Sequence, residues 1–345
     1  MARRLRSPFV WGPVTLALLA FVIWRSRIWE AGDTLGVVSV QPLIAAVLVG
    51  AASPLLWAIR SAQLLGSVGY PVPVGALVPM TTFANTINNL TPGSVGEFVR
   101  LYLLRVHHGG DYATGGAIIL LERFVALAYL TSSAVVAWLA VQQHLPGPVV
   151  VALLGAVVVA PGAAYRVGLR PIAWFAAAPL GRFAGTRAAG LIGALLAAEG
   201  TIGRLLTRPA VLVRFALVSS ALFAVNSIQL VLVAAALGVT IDPFAAWGVL
   251  GVAVTAGVLS LLPFGLGAAD IVLVTLLGVL GVAVAPATAI AFGYRLVATL
   301  PVTLAGVASY AWLSVRMPES GLSGAASSAR EGLAVDIGAG SRDPE

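Results

Sequence analysis

Apolar runs of roughly 20 residues, each long enough to cross a bilayer as a helix, alternate along this chain with short polar breaks. The predicted helices are Phe9–Trp24, Pro42–Ile59, Val74–Leu90, Tyr112–Val141, Val149–Tyr165, Phe215–Leu237, Phe244–Leu262, Ala268–Val282 and Pro286–Leu313. A shorter helix, Glu97–Val106, resumes after a break at Thr91–Gly96 and stops at His107, His108, Gly109 and Gly110. The pattern predicts an all-α polytopic membrane protein. Its transmembrane domain occupies residues 1–316, and a Gly/Ser/Ala-rich tail over 317–345 is expected to be disordered.

One stretch breaks the apolar rule. Asn85 to Arg105 reads NTINNLTPGSVGEFVRLYLLR and gathers three asparagines, a Pro-Gly turn, a glutamate and two arginines between apolar runs. Such groups are costly in hydrocarbon and are placed against protein or a water-filled cavity. A plainer copy, LLPFGLGAAD, runs from Leu261 to Asp270. Each copy sets a proline and glycines before a new helix. Those glycines are Gly93 and Gly96 after Pro92, then Gly265 and Gly267 after Pro263. A helix N-terminus with glycine-flanked amides suits an anion such as phosphate. A tight membrane turn with nothing bound is the plainer alternative.

The two halves carry matching landmarks at offsets of 170 to 172: Gly66 with Gly238, Pro73 with Pro243, Pro92 with Pro263, Gly96 with Gly267, and Arg123 with Arg295. Two repeats, about 42–141 and 213–313, are therefore expected. A span at 149–165 and a basic segment at 166–214 join them. With the N-terminus inside, the arginines gather on the cytoplasmic side, as the positive-inside rule requires. The halves then run in opposite senses, each with a broken helix pair that is either re-entrant or spans twice. That is a transporter architecture with its site at the repeat interface. The expected location is the plasma membrane, with both termini cytoplasmic.

Composition sharpens this picture. Hydrophobic residues make up 59% and charged residues 10%, with a mean hydropathy of +1.00, far from the soluble pattern. The net charge of +7 comes from arginines at the ends of apolar runs, so nucleic acid is not an expected partner. Seven arginines between Arg166 and Arg214, interleaved with Trp174, Phe175 and Phe183, read as surface-lying amphipathic helices or as an ordinary basic loop. The first run is followed by Trp24-Arg25-Ser26-Arg27 rather than a cleavage site, so it is expected to be an uncleaved span. Most tryptophans, Trp57, Trp138 and Trp247 among them, are expected as interfacial anchors. The absence of cysteine excludes disulfides and thiolate chemistry. His107, His108 and Asp111 fall on a Gly-Gly loop without a third ligand nearby, so no metal or other cofactor is expected.

Arg123 and Arg295 lie about nine or ten residues into their spans, near mid-bilayer, where an arginine costs about 3 kcal/mol or more and needs a partner. Glu97, Glu122 and Asp270 are the available carboxylates, and Asn85, Asn88 and Asn89 can complete the hydrogen bonds. Arg100 is deep enough to join them, whereas Arg105 is read as snorkelling to the interface. Two readings stay open: internal ion pairs that brace the broken helices, or arginines that bind a lipid phosphate with the acids setting their geometry.

At NNLTPGSVGEFVR, LLERF, LPFGLGAAD and GYRL the chain resembles the lysylphosphatidylglycerol synthase transmembrane-region family, also called flippase-like or UPF0104 proteins. The likeness covers roughly residues 10–315. It implies lipid translocation between leaflets. It also implies functional roles for Pro92, Gly93, Gly96, Glu97, Arg100, Glu122 and Arg123, and for Pro263, Gly267 and Arg295. Asp270 stands where the resemblance leads one to expect glutamate. The aminoacyl-transferase domain is missing from the sequence, so the protein is not expected to be an enzyme that makes the lipid it moves. The expected partners are membrane lipids with an anionic head group or lipid-linked phosphate. The alternatives are a membrane-embedded transferase using a lipid-phosphate donor, or a non-catalytic partner of a lipid- or envelope-synthesis enzyme.

Overall fold

A computed structural model describes residues 38–91, 95–109, 112–142, 145–166, 205, 208–260, 265 and 267–315. The predicted first span, the segment 167–204, the tail beyond 315, and Pro92, Gly93 and Pro263 lie outside the described residues. Everything regular among the described residues is helical.

Eleven helices are described. The first series is α1 (Val40–Gly50), α2 (Ser53–Ser67), α3 (Val74–Leu90), α4 (Val95–His108) and α5 (Tyr112–Gln142). Helix α6 (Gly147–Arg166) follows. The second series is α7 (Pro209–Ala236), α8 (Pro243–Leu259), α9 (Ala268–Val279), α10 (Val284–Ala298) and α11 (Leu300–Val315). Three stretches are long and apolar enough to cross a membrane: Val40–Ser67, Pro209–Ala236 and Val284–Val315. Leu48, Leu217, Ile271 and Leu304 are exposed on the outside, as suits a surface solvated by lipid tails.

The two series match in order and length. Helices begin at 40, 74, 95 and 112 in the first and at 209, 243, 268 and 284 in the second, offsets of 169, 169, 173 and 172. Their packing partners match too. Helix α8 lies along α5 and, reciprocally, α3 lies along α11, while α7 packs on both α1 and α2. Small residues permit these crossings. A Cβ on Gly251 of α8 would stand 2.3 Å from the Cβ of Ala134 on α5, and one on Gly306 of α11 would stand 1.9 Å from the hydroxyl of Thr86 on α3.

Each broken pair is an antiparallel hairpin. The Tyr70 hydroxyl, just before α3, donates to the His108 carbonyl at the end of α4 (2.5 Å), so the hairpin starts and finishes at the same level. At about 1.5 Å per residue, the 14 residues of α4 and 12 of α9 reach only about 20 Å, short of a hydrocarbon core of about 30 Å. Second arms this short suit re-entrant hairpins. Gly96 lets the arms of the first hairpin touch, since a Cβ there would lie 1.9 Å from the Ala84 carbonyl oxygen.

Several predicted boundaries move. The span predicted to end at Ile59 continues as α2 to Ser67, because Arg60 finds an acid partner inside the protein and need not mark the interface. Trp57, Trp138 and Trp247, expected as interfacial anchors, each make contacts within the protein. Trp57 lines an internal cavity, Trp138 packs against the core of the second series, and Trp247 donates to the Ser133 hydroxyl (3.2 Å) with its ring edge-on to Phe223.

Candidate functional site

A cavity of about 330 Å³ opens where the two series meet. Helix α3 supplies Asn85, Asn88 and Asn89, and α5 supplies Arg123. The second hairpin brings Gly265 and Asp270, and α10 brings Tyr294 and Arg295. Seven of the residues singled out in the sequence thus face one space: Asn85, Asn88, Asn89, Arg123, Gly265, Asp270 and Arg295.

The walls are chemically unequal. At the offset of 169 that relates α3 to α8, the three asparagines correspond to Val254, Gly257 and Val258, which line the opposite side. One wall is amide and the other apolar. Trp57 on α2 and Asn226 on α7 stand in the same relation and both line the cavity. Neither was named as a site residue from the sequence, since a lone asparagine in an apolar span carries little signal and a tryptophan near a predicted span end reads as an interfacial anchor. Thr91 and Tyr294 were missed likewise.

Behind the amide wall lies an ion-pair network built on α4. Glu97, in the first turn of α4, accepts from Arg123 Nε (2.9 Å), from Arg123 Nη2 and from the Asn88 amide (3.0 Å), all on Oε1. Arg100, one turn on, is buried and donates to Glu122 Oε2 (2.8 Å) and to the Ser61 hydroxyl (3.1 Å). Arg60 of α2 donates to Glu122 Oε1 (3.0 Å), and its guanidinium carbon lies 5.6 Å from the centre of the Phe215 ring. Among the described residues three arginines thus answer two carboxylates, leaving one positive charge in excess, and Arg123, which lines the cavity, is 43% exposed.

The second hairpin has a shorter arrangement. Asp270 accepts from Arg295 Nε (2.6 Å) and Nη2 (2.8 Å), a bidentate pair. Its Oδ2 also accepts from the backbone N–H of Gly267 (3.0 Å), capping the start of α9. Gly267 adopts φ +82°, a left-handed conformation that glycine takes without strain. Both deep arginines therefore have carboxylate partners on the re-entrant helices, as the cost of an intramembrane charge requires.

Gly96 and Gly267 serve the hairpins rather than lining the cavity, and Glu97, Arg100 and Glu122 stand behind it. A family model described as the lysylphosphatidylglycerol synthase TM region matches residues 9–306. The chain belongs to that family. It is an integral membrane protein of lipid and cell-envelope biology. No curated protein matches the sequence. In this member of the lysylphosphatidylglycerol synthase TM region family, the motif residues from both halves converge on the cavity and the network behind it.

Proposed function

We propose that this protein is a lipid transporter that moves an anionic phospholipid, or a lipid linked through a polyprenyl phosphate, between the leaflets of the plasma membrane. The observation that carries the reading is the convergence of Arg123, Arg295 and the three asparagines on one cavity, backed by a network with an excess positive charge. A positive, hydrogen-bonding wall in a medium of low dielectric favours a phosphate, and the apolar wall opposite suits the start of an acyl or prenyl chain. Matched helix series with two re-entrant hairpins fit an inverted-repeat transporter that exposes a central site to each face in turn.

The test is reconstitution in liposomes with labelled lipids on one face. Arg123→Gln and Arg295→Gln are each expected to cut anionic-lipid translocation about tenfold or more, the scale of one lost charge-assisted contact, with folded protein still in the membrane. Lysine at either position restores part of the rate, because it keeps the charge but lacks the planar fork. A neutral lipid is much less affected. Equal loss for neutral and anionic lipids would assign the arginines to the scaffold. Wild-type rates in both variants would move the site elsewhere.

A further inference from the structure

The two arginines of the cavity are held in unequal ways. Arg295 engages both oxygens of Asp270 (2.6 and 2.8 Å) and is 20% exposed. Arg123 spends both Nε and Nη2 on the single oxygen Oε1 of Glu97 and is 43% exposed. The other oxygen, Oε2, is buried and has no hydrogen bond, although Arg100 Nη2 stands 3.1 Å away. Arg100 directs its hydrogen bond to Glu122, and its Nε is buried without a hydrogen-bond partner. Glu97 Oε2 thus meets Arg100 as an ion pair without a hydrogen bond, and Arg100 Nε has no hydrogen-bond partner among the described residues.

Building on the reading of the cavity as a phosphate site, we infer that the arginines are not equivalent: Arg123 leaves Glu97 for the lipid phosphate, and Glu97, already ion-paired with Arg100 through Oε2, then closes onto Arg100 with both oxygens. In the resting arrangement that ion pair lacks a hydrogen bond and Arg100 Nε has no hydrogen-bond partner among the described residues, which costs free energy. Turning the Glu97 carboxylate relieves that cost but withdraws the oxygen that holds Arg123. A phosphate supplies the replacement, since it accepts two parallel bonds from a guanidinium. Partner exchange therefore couples ligand arrival to release of the ion pair between α4, which carries Glu97 and Arg100, and α5, which carries Arg123. The second hairpin has no equivalent. Leu273 stands at the offset of 173 from Arg100, so Asp270 has no arginine there to turn to. Arg295 stays on Asp270 and keeps its hairpin in place.

The test is affinity for dioleoylphosphatidylglycerol and for dioleoylphosphatidylcholine, measured on the full chain in nanodiscs, with thermal unfolding as the check on folding. In the exchange mechanism Glu97 competes with the phosphate for Arg123. Glu97→Gln should therefore tighten phosphatidylglycerol binding about tenfold, the scale of one charge-assisted bond, while slowing its translocation. Asp270→Asn should tighten it clearly less. Equal tightening in the two variants, or none in Glu97→Gln, overturns the exchange. Should Glu97→Gln not fold, Arg100→Lys decides. It keeps the charge beside Glu122 but lacks the second N–H face, so phosphatidylglycerol binding should weaken while phosphatidylcholine binding holds. Unchanged phosphatidylglycerol affinity in that variant also overturns the proposal. A wild-type protein that does not distinguish the two lipids fails earlier, at the phosphate site itself.

Discussion

Glu122 is 3% exposed and takes bonds from Arg60 and Arg100, with the Ser61 hydroxyl beside it. Removing its charge leaves Arg60 without a carboxylate and Arg100 with Glu97 alone (3.1 Å), and breaking a buried pair in this way costs about 3–5 kcal/mol. Glu97→Gln is milder, because Arg123 can turn into the cavity and Arg100 keeps Glu122. Both variants should lower the unfolding temperature in detergent, Glu122→Gln by the larger step. An equal drop would contradict the network as drawn. Pairing Glu97→Gln with Arg123→Gln should regain stability but not transport. In the sequence, Glu97, Arg100, Glu122 and Arg123 stood out because charge inside an apolar run always demands a partner. Arg60 did not, because an arginine at a predicted span end looks like an interfacial residue. Only its contact with α5, far along the chain, shows otherwise.

At the scale of elements, each hairpin depends on close approach between its arms. A Cβ on Gly96 would stand 1.9 Å from the Ala84 carbonyl, a backbone atom that cannot swing aside. Gly96→Ala should therefore push α4 off α3, costing about 1–3 kcal/mol as an overpacked contact and pulling Glu97 away from Arg123. Gly66→Ala, with nothing within 4 Å of its Cβ, is the control that should leave the unfolding temperature in place. If the two behave alike, the hairpin contact is not what stabilises α4. The helices themselves were readable from their apolar runs, and the break between α3 and α4 from its polar composition. Whether a broken pair crosses or returns was not readable, since composition is the same in both cases. The meeting of Tyr70 with His108 is common to both cases, and the shortness of α4 and α9 favours a return.

At the scale of the whole molecule, the matched series place their hairpins in the same relation to their neighbours, α3 against α11 and α8 against α5. An odd number of crossings between two such hairpins opens them to opposite faces of the membrane. The arginine distribution predicts a cytoplasmic loop before α3 and an external loop before α8. Both loops present exposed positions, Pro71 in the first and Thr240 in the second. The chain has no native cysteine, so single substitutions report without background. With a membrane-impermeant maleimide applied outside intact cells, Thr240→Cys should label at once and Pro71→Cys only after permeabilisation. Labelling of both from one side would make the halves parallel. That result would remove the alternating exposure of the central cavity on which the proposed transport depends, while leaving the ion pairs and the hairpins untouched. Labelling in the reverse order would keep the inverted relation but turn the protein over, placing the network of Arg60, Arg100 and Glu122 toward the outer leaflet.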